Sequence, residues 1–449
     1  MPRRGPFIAL ISAYVVSVTG TSMSAIAIPW LVLTTTGSAA QTGVVVFAQL
    51  LPYVATQLLG GPVVDRLGLR RSFIRGNAAA ATAIAVIPLC HALDVLTLPV
   101  LIGLVVIVGV CRGVADCANG PLVPTTAEAG GIPLERAAGL NAGANRTALL
   151  LGAPLAGVLV TLFGSPAVVL IDAGTFAAAA VIATIWIRVP EPAPVAGTGV
   201  RRYLRDLGEG LRFVRGHRLI LGMMTMVAVT NLLDQGLAEV MLPVWIRDEV
   251  GTPAVLGLIS GVAGGAAVLG SLLGAWLGPK LPRWSMFSVS YVISGVPRFA
   301  VLALSDSLPL ILAVWIVAEV FSGTLNPVMS AVMYERIPPD LRARVLGVAR
   351  STAWLGLPFG ALAGGYLTEA WGLYPALWVF GGAYFVTTLA PFVFPSWRQL
   401  NDRTPAADER RPDGSDVAGG AAGGDGAGMG GEAGDHGHAE RGAGGDRPR

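Results

Sequence analysis

The stretch "GPVVDRLGLRR", residues 61–71, stands between two long apolar runs, "TGVVVFAQLLPYVATQLLG" upstream and "NAAAATAIAVIPLC" downstream. Asp65, Arg66, Arg70 and Arg71 fall within seven positions, punctuated by Gly61 and Gly68. Apolar, charged, apolar is the pattern of two membrane helices joined at one face of a bilayer. Charge of the basic kind is expected at such a turn; an aspartate set between glycines asks for a further reason.

The rest of the chain fits the same frame. Its 449 residues are 53% hydrophobic and 13% charged, where a soluble domain carries about 25% charge. Mean hydropathy is +0.65. The net charge of +3 gives no electrostatic case for nucleic acid. Lys280 is the one lysine among 31 basic residues, a usage expected of a high-GC bacterial gene. Cys90, Cys111 and Cys117 lie in or beside apolar runs without metal-site or disulfide spacing, so they read as small apolar fillers. No metal site is expected.

A helix needs about 20 mostly apolar residues to cross the hydrocarbon core. Twelve such spans are expected, near 7–33, 41–62, 74–94, 98–122, 139–163, 166–187, 219–245, 253–278, 285–305, 308–333, 345–368 and 372–394. Alternate gaps carry twenty-one basic residues, from Arg3 and Arg4 to Arg350; the other gaps carry Arg247 alone. The positive-inside rule then puts both termini in the cytoplasm of a cell whose inner (plasma) membrane holds the protein. The expected organisation is an N-terminal bundle (1–187), a cytoplasmic linker with an amphipathic helix (188–218), a C-terminal bundle (219–398) and a disordered Gly/Ala-rich tail (399–449). His436 and His438 in that tail read as solvated.

The two bundles read as repeats. At an offset of 214, Pro29 meets Pro243, Gly37 meets Gly251, Gly60 meets Gly274, Arg66 meets Lys280 and Leu67 meets Leu281. "GAWLGPKLPR" (274–283) is thus a worn copy of the opening stretch. Further on, Arg136 meets Arg342 at 206 and Gly157 meets Gly364 at 207. Parallel six-span repeats moving about a central site are what a rocking secondary transporter requires.

The opening stretch, with its glycine, Asp65-Arg66 pair, Gly68 and Arg70-Arg71 pair, resembles the loop 2–3 signature of the major facilitator superfamily, departing from it at Leu69. "YLRDLGEGLRFVRGHRLI" (203–220), "LIDAGTF" (170–176) and "IPPDLRARVLG" (337–347) are similar to the branch containing macrolide-efflux and enterobactin exporters. The resemblance implies an all-α membrane protein of twelve transmembrane helices in two pseudo-symmetric six-helix bundles. It also implies that Gly61, Asp65, Arg66, Gly68, Arg70 and Arg71 latch the halves together on the cytoplasmic side while the site faces outward.

Ionisable residues inside spans are costly and are functional candidates by default. They are Arg112 and Asp116 in span 4, Asp172 in span 6, Asp234 and Glu239 in span 7, Arg298 in span 9 and Glu319 in span 10. No histidine lies deep in a span, so a proton relay must use carboxylates. Asp234, in the outward half of span 7, is the first choice for a proton or cationic-substrate contact. Arg112 and Asp116, four apart on one helix face, are expected to neutralise each other, with a gating or coupling role as the alternative; Asp172 is a further coupling candidate or an anchor for span 6. Gly152, Pro154 and Gly157 in "GAPLAG", with Gly360 and Gly364 in "GLPFGALAGG", resemble a degraded antiporter motif that bends span 5, or equally are small-residue packing sites. In the linker, Leu204, Leu207, Leu211 and Val214 form one stripe, suited to a helix on the inner leaflet.

The expected function is export of small amphipathic organic molecules (drug, secondary metabolite or siderophore) by proton antiport through alternating access, as a monomer with no cofactor beyond the proton gradient. An importer on the same scaffold and a non-transporting membrane receptor are the alternatives. ATP drive lacks its motif, since Lys280 is followed by Leu281 rather than Ser or Thr. No hydrolase or metalloenzyme signature is present, so no enzyme activity is expected.

Overall fold

The computed structural model describes residues 4–188 and 200–402, and every regular element among them is helical. Among the described residues, twelve helices are long and apolar enough to cross a membrane. They are span 1 (Gly5–Thr36), span 2 (Ala39–Leu59), span 3 (Leu69–Ala92), span 4 (Leu98–Ala129), span 5 (Leu134–Phe163) and span 6 (Ser165–Trp186). The second set comprises span 7 (Arg218–Glu249), span 8 (Pro253–Leu277), span 9 (Arg283–Leu304), span 10 (Leu308–Arg336), span 11 (Arg344–Trp371) and span 12 (Leu373–Val393). Span 4 outruns its expected end through Pro121 and Pro124 to Ala129.

Packing repeats between the halves. In the first, span 1 packs on 5 and 6, span 2 on 4, and span 3 on 4 and 6; in the second, span 7 packs on 11 and 12, span 8 on 10, and span 9 on 10 and 12. Between halves the main contacts are span 2 with 11 and span 5 with 8, which exchange under the same correspondence. Backbone geometry agrees with it. Gly37 (φ 70°) and Gly251 (φ 76°) end spans 1 and 7 in the left-handed region, which glycine enters without a Cβ penalty. Gly164 (φ 81°) and Gly372 (φ 86°) form a second such pair, before spans 6 and 12.

The core is distributed unevenly along the helices. At the arginine-poor end, residues of both halves, among them Ile28, Leu33, Val45, Trp245, Ile246 and Leu256, belong to one continuous cluster. At the arginine-rich end the clusters are separate: Phe7, Leu10, Phe73 and Leu122 in the first half, and Met223, Phe287 and Trp397 or Ile220, Ile337 and Val345 in the second. At that end no shared hydrophobic cluster joins the two bundles.

Two expectations need correction here. The linker helix, Val200–Gly216, turns Leu207, Leu211 and Val214 onto Ile220, Ile337, Val345 and Val348 of the second bundle rather than onto lipid. Glu209 on its other side receives Arg344. The second bundle also extends past residue 398, because the 3-10 turn Pro395–Asn401 buries Trp397 and Leu400, and Asn401 Oδ1 accepts the Trp284 amide (3.0 Å). The tail histidines lie outside the described residues, as do 189–199 of the linker.

Candidate functional site

Span 7 carries Asp234 halfway along its observed length. Just beyond it, Leu237–Met241 is a π-helical turn, with the Leu242 amide reaching back five residues to Leu237 O. Pro243 has no N–H to offer Glu239 O, so the ladder is already broken at that carbonyl and the wider turn takes up the slack. The proline alone does not force it, since Pro29 sits inside an unbroken span 1. Such turns occur often at functional sites. Glu239 lies within the turn, away from Asp234's ion pair.

That ion pair has a third member. Arg298 of span 9, about 22 Å of helix rise from Arg283, donates Nη2 to Asp234 Oδ1 (2.7 Å) and Nη1 to Glu319 Oε1 (2.9 Å). Spans 7, 9 and 10 thereby meet at one guanidinium. The Arg298 side chain is 11% exposed and Glu319 16%, whereas Asp234 keeps 33%. Asp234 is therefore the member that water or a solute can reach. With both carboxylates ionised the cluster carries one surplus negative charge, which a low-dielectric setting disfavours unless a proton or cation joins it. Arg298 Nε is buried with no partner among the described residues.

In the first half Arg112 and Asp116 form no direct ion pair, although the guanidinium still acts electrostatically on the carboxylate. Asp116 Oδ2 accepts the Tyr53 hydroxyl (3.0 Å), and the Arg112 guanidinium sits over the Tyr53 ring, 4.8 Å from its centroid. The residues share a helix face, but Tyr53 of span 2 enters between them. Across the halves Tyr53 stacks on Trp354 of span 11 (6.1 Å), and Arg350 also lies over the Trp354 ring (5.0 Å). Val54, Gln57, Leu58, Gly347, Arg350, Ser351 and Trp354 line a cavity of about 180 Å³ beside this stack. Tyr53, Trp354 and Arg350 were not expected from sequence. A tyrosine in an apolar run gives no signal until its partners are known.

Asp172 ties two spans together. It is buried and receives Ser24 Oγ of span 1 and Thr175 Oγ1 (3.1 Å), pinning span 6 to span 1. Gly20 makes room for it: a methyl there would lie 2.3 Å from Asp172 Oδ1.

The glycines among the five helix-bend candidates sit at close helix crossings, the packing alternative of the two readings. Span 5 runs unbroken through Pro154. A methyl on Gly157 would lie 2.8 Å from Gly257 Cα in span 8, and one on Gly152 would lie 2.6 Å from Ser22 Cβ in span 1. One on Gly360 would lie 1.8 Å from Leu232 O in span 7, and one on Gly364, 3.1 Å from Gly236 Cα. Close helix approach accounts for these positions. The interruption in span 11 comes at Gly356, between helices Arg342–Leu355 and Leu357–Trp371.

The opening stretch is not a loop. Gly61–Leu67 forms its own short helix, and Gly68 (φ 87°) turns the chain into span 3. Asp65 and Arg66 are exposed, and Asp65 makes no ion pair among the described residues. Arg70 donates to Thr184 O of span 6 (2.7 Å), within its own bundle. Among the described residues no hydrogen bond or ion pair of this stretch reaches the second bundle.

Residues 10–237 and 224–423 match the family described as Major Facilitator Superfamily. A protein of Mycobacterium tuberculosis named multidrug efflux pump Tap is 29% identical over 420 residues, covering 92% of this chain and 98% of its own. Its namesake in Mycolicibacterium fortuitum is 25% identical over 402 residues, covering 89% and 98%. Among solved structures, the nucleoside transporter NupG superimposes with a TM-score of 0.68 at 14% identity, covering 86% of this chain and 99% of that one. A bacterial homologue of the lysosomal transporter Spinster, solved inward-facing and unoccupied, has a TM-score of 0.65 at 14% identity, covering 88% and 95%.

Proposed function

The chain belongs to the Major Facilitator Superfamily of membrane transporters, and on that premise we propose that it is a proton-driven exporter of small amphipathic organic molecules. It acts from the plasma membrane as a monomer without ATP, its arginine-rich side and both termini in the cytoplasm. The bundles have separate hydrophobic cores at that side and a continuous one at the other, an arrangement suited to admitting cargo between them from the cytoplasm. Rocking them about the bound cargo then exposes it outside.

The observation that carries the coupling is the Asp234–Arg298–Glu319 cluster. Its surplus negative charge gives a proton a place to bind, and Asp234, the accessible member, is where proton and cargo compete. A ligand moves such an equilibrium only through unequal affinity for its two states, and a proton bound on one side and released on the other supplies that inequality. Export rather than import is favoured by the relatives named multidrug efflux pump. On the cytoplasmic rim, Asp65 and its neighbours re-form the latch when the bundles close there.

The test is flux in everted vesicles. Uptake of amphipathic compounds that requires an imposed proton gradient and stops with a protonophore is the expected result. Absence of flux across a chemically broad panel would favour a receptor, and flux in the reverse sense an importer.

A further inference from the structure

Arg247 is the one basic residue in the gaps of the arginine-poor side, and its position there is specific. It lies in the last turn of span 7, and its Nη1 donates to Gly37 O (3.1 Å), the carbonyl in the turn that closes span 1. Next in the chain, Ser38 caps the start of span 2, and Glu369 from span 11 reaches that helix start. Glu369 Oε2 accepts the Ser38 hydroxyl (3.1 Å), the Ala39 amide (2.9 Å) and the Ala40 amide (3.3 Å). Two side chains of the second bundle thus hold one turn of the first. Each carries the charge that its helix terminus attracts: a cation at the carbonyl end of span 1 and an anion at the amide end of span 2.

The opposite corner, where span 5 crosses span 8, has no such contact among the described residues. There Gly157 and Gly257 touch backbone to backbone, and Gly261 faces Pro154. The residue related to Glu369 by the 207 offset is Leu162. Of two corners that the repeat makes equivalent, one is bound by charge and the other by shape alone.

We infer that Arg247 and Glu369 are positioning residues of the transport cycle, forming the charged closure that holds the arginine-poor end shut and sets the balance between the two open states. The inference rests on the alternating-access reading above. To open that end, the span 1–2 turn must leave both side chains, exposing its amides to water. Removing the closure therefore favours the state open at the arginine-poor end and closed at the arginine-rich end.

Hydrogen–deuterium exchange on the full chain in lipid nanodiscs, without cargo, reads both ends at once. Glu369→Ala is expected to speed exchange at 37–43 by roughly three- to thirtyfold, the range for losing a helix cap. It is also expected to slow exchange at 128–145, where span 4 meets span 5 at the other end. Arg247→Ala should give the same pair of changes, and Glu369→Gln, which keeps an acceptor but loses the charge, a smaller pair. Local fraying alone would raise 37–43 and leave 128–145 unmoved, and that result, or no change at either end, overturns the inference. If Glu369→Ala fails to fold, Glu369→Gln and Arg247→Ala carry the test. Reciprocal changes in a protein that passes no cargo would keep the closure and remove the export reading; flux without reciprocal changes would do the reverse.

Discussion

At the scale of single residues, Asp234, Arg298 and Glu319 show what a sequence can and cannot disclose. Each stands out because a charge inside an apolar run demands a reason, but nothing in the chain says that one guanidinium serves two carboxylates. That depends on how spans 7, 9 and 10 are rotated about their axes, which tertiary packing decides. The same blindness explains the expected Arg112–Asp116 pairing, since helix spacing cannot foresee a tyrosine arriving from span 2. The cluster separates stability from transport. Arg298→Ala leaves two carboxylates facing each other and is expected to cost about 3 kcal/mol, the low end for breaking a buried pair because Asp234 is partly solvated, read as a lowered melting temperature. Asp234→Asn keeps the Arg298–Glu319 bond and should melt close to wild type while losing proton-driven flux. Equal loss of stability in both variants would count against this division.

At the scale of elements, the span limits were legible to within about five residues, the end of span 4 excepted, because hydrocarbon thickness sets the minimum helix length whatever the partners. What sequence misassigned was the use of particular faces. The linker stripe is amphipathic, and an apolar face can be met by lipid or by protein; here Val345 and Val348 meet it. The glycines of spans 5 and 11 carried two readings, bend or close approach, and the crossing distances favour approach. Gly360 gives the sharper prediction, since its Cα faces Leu232 O with no space for a methyl. Gly360→Ala should destabilise the second bundle by about 1–3 kcal/mol or more, as overpacking does, measured by thermal unfolding in detergent. The same change at Gly174, which has open space around it, is the control and should be nearly neutral.

At the scale of the whole molecule, twofold kinship was legible from a handful of matched landmarks, and the positive-φ pairs Gly37/Gly251 and Gly164/Gly372 give it a backbone basis. Which end would be joined was not legible, because a sequence that supports two states does not say which one is observed. Asp65 belongs to this scale. In the state seen here it is exposed and without an ion pair among the described residues, so Asp65→Asn should leave thermal stability within about 0.5 kcal/mol of wild type. If the cluster bridges the bundles in the other state, the same variant should lower flux by roughly tenfold or more, as a shift in population. Undiminished flux in Asp65→Asn would leave the latch without support.

The crossing of spans 5 and 8 has a consequence beyond packing. Where Gly157 meets Gly257, main chain lies against main chain with no side chain between them. A file of water molecules needs a channel wide enough for each to find polar neighbours, and such a seam provides none. The smallest residues in the helices therefore leave no water-filled path along that crossing.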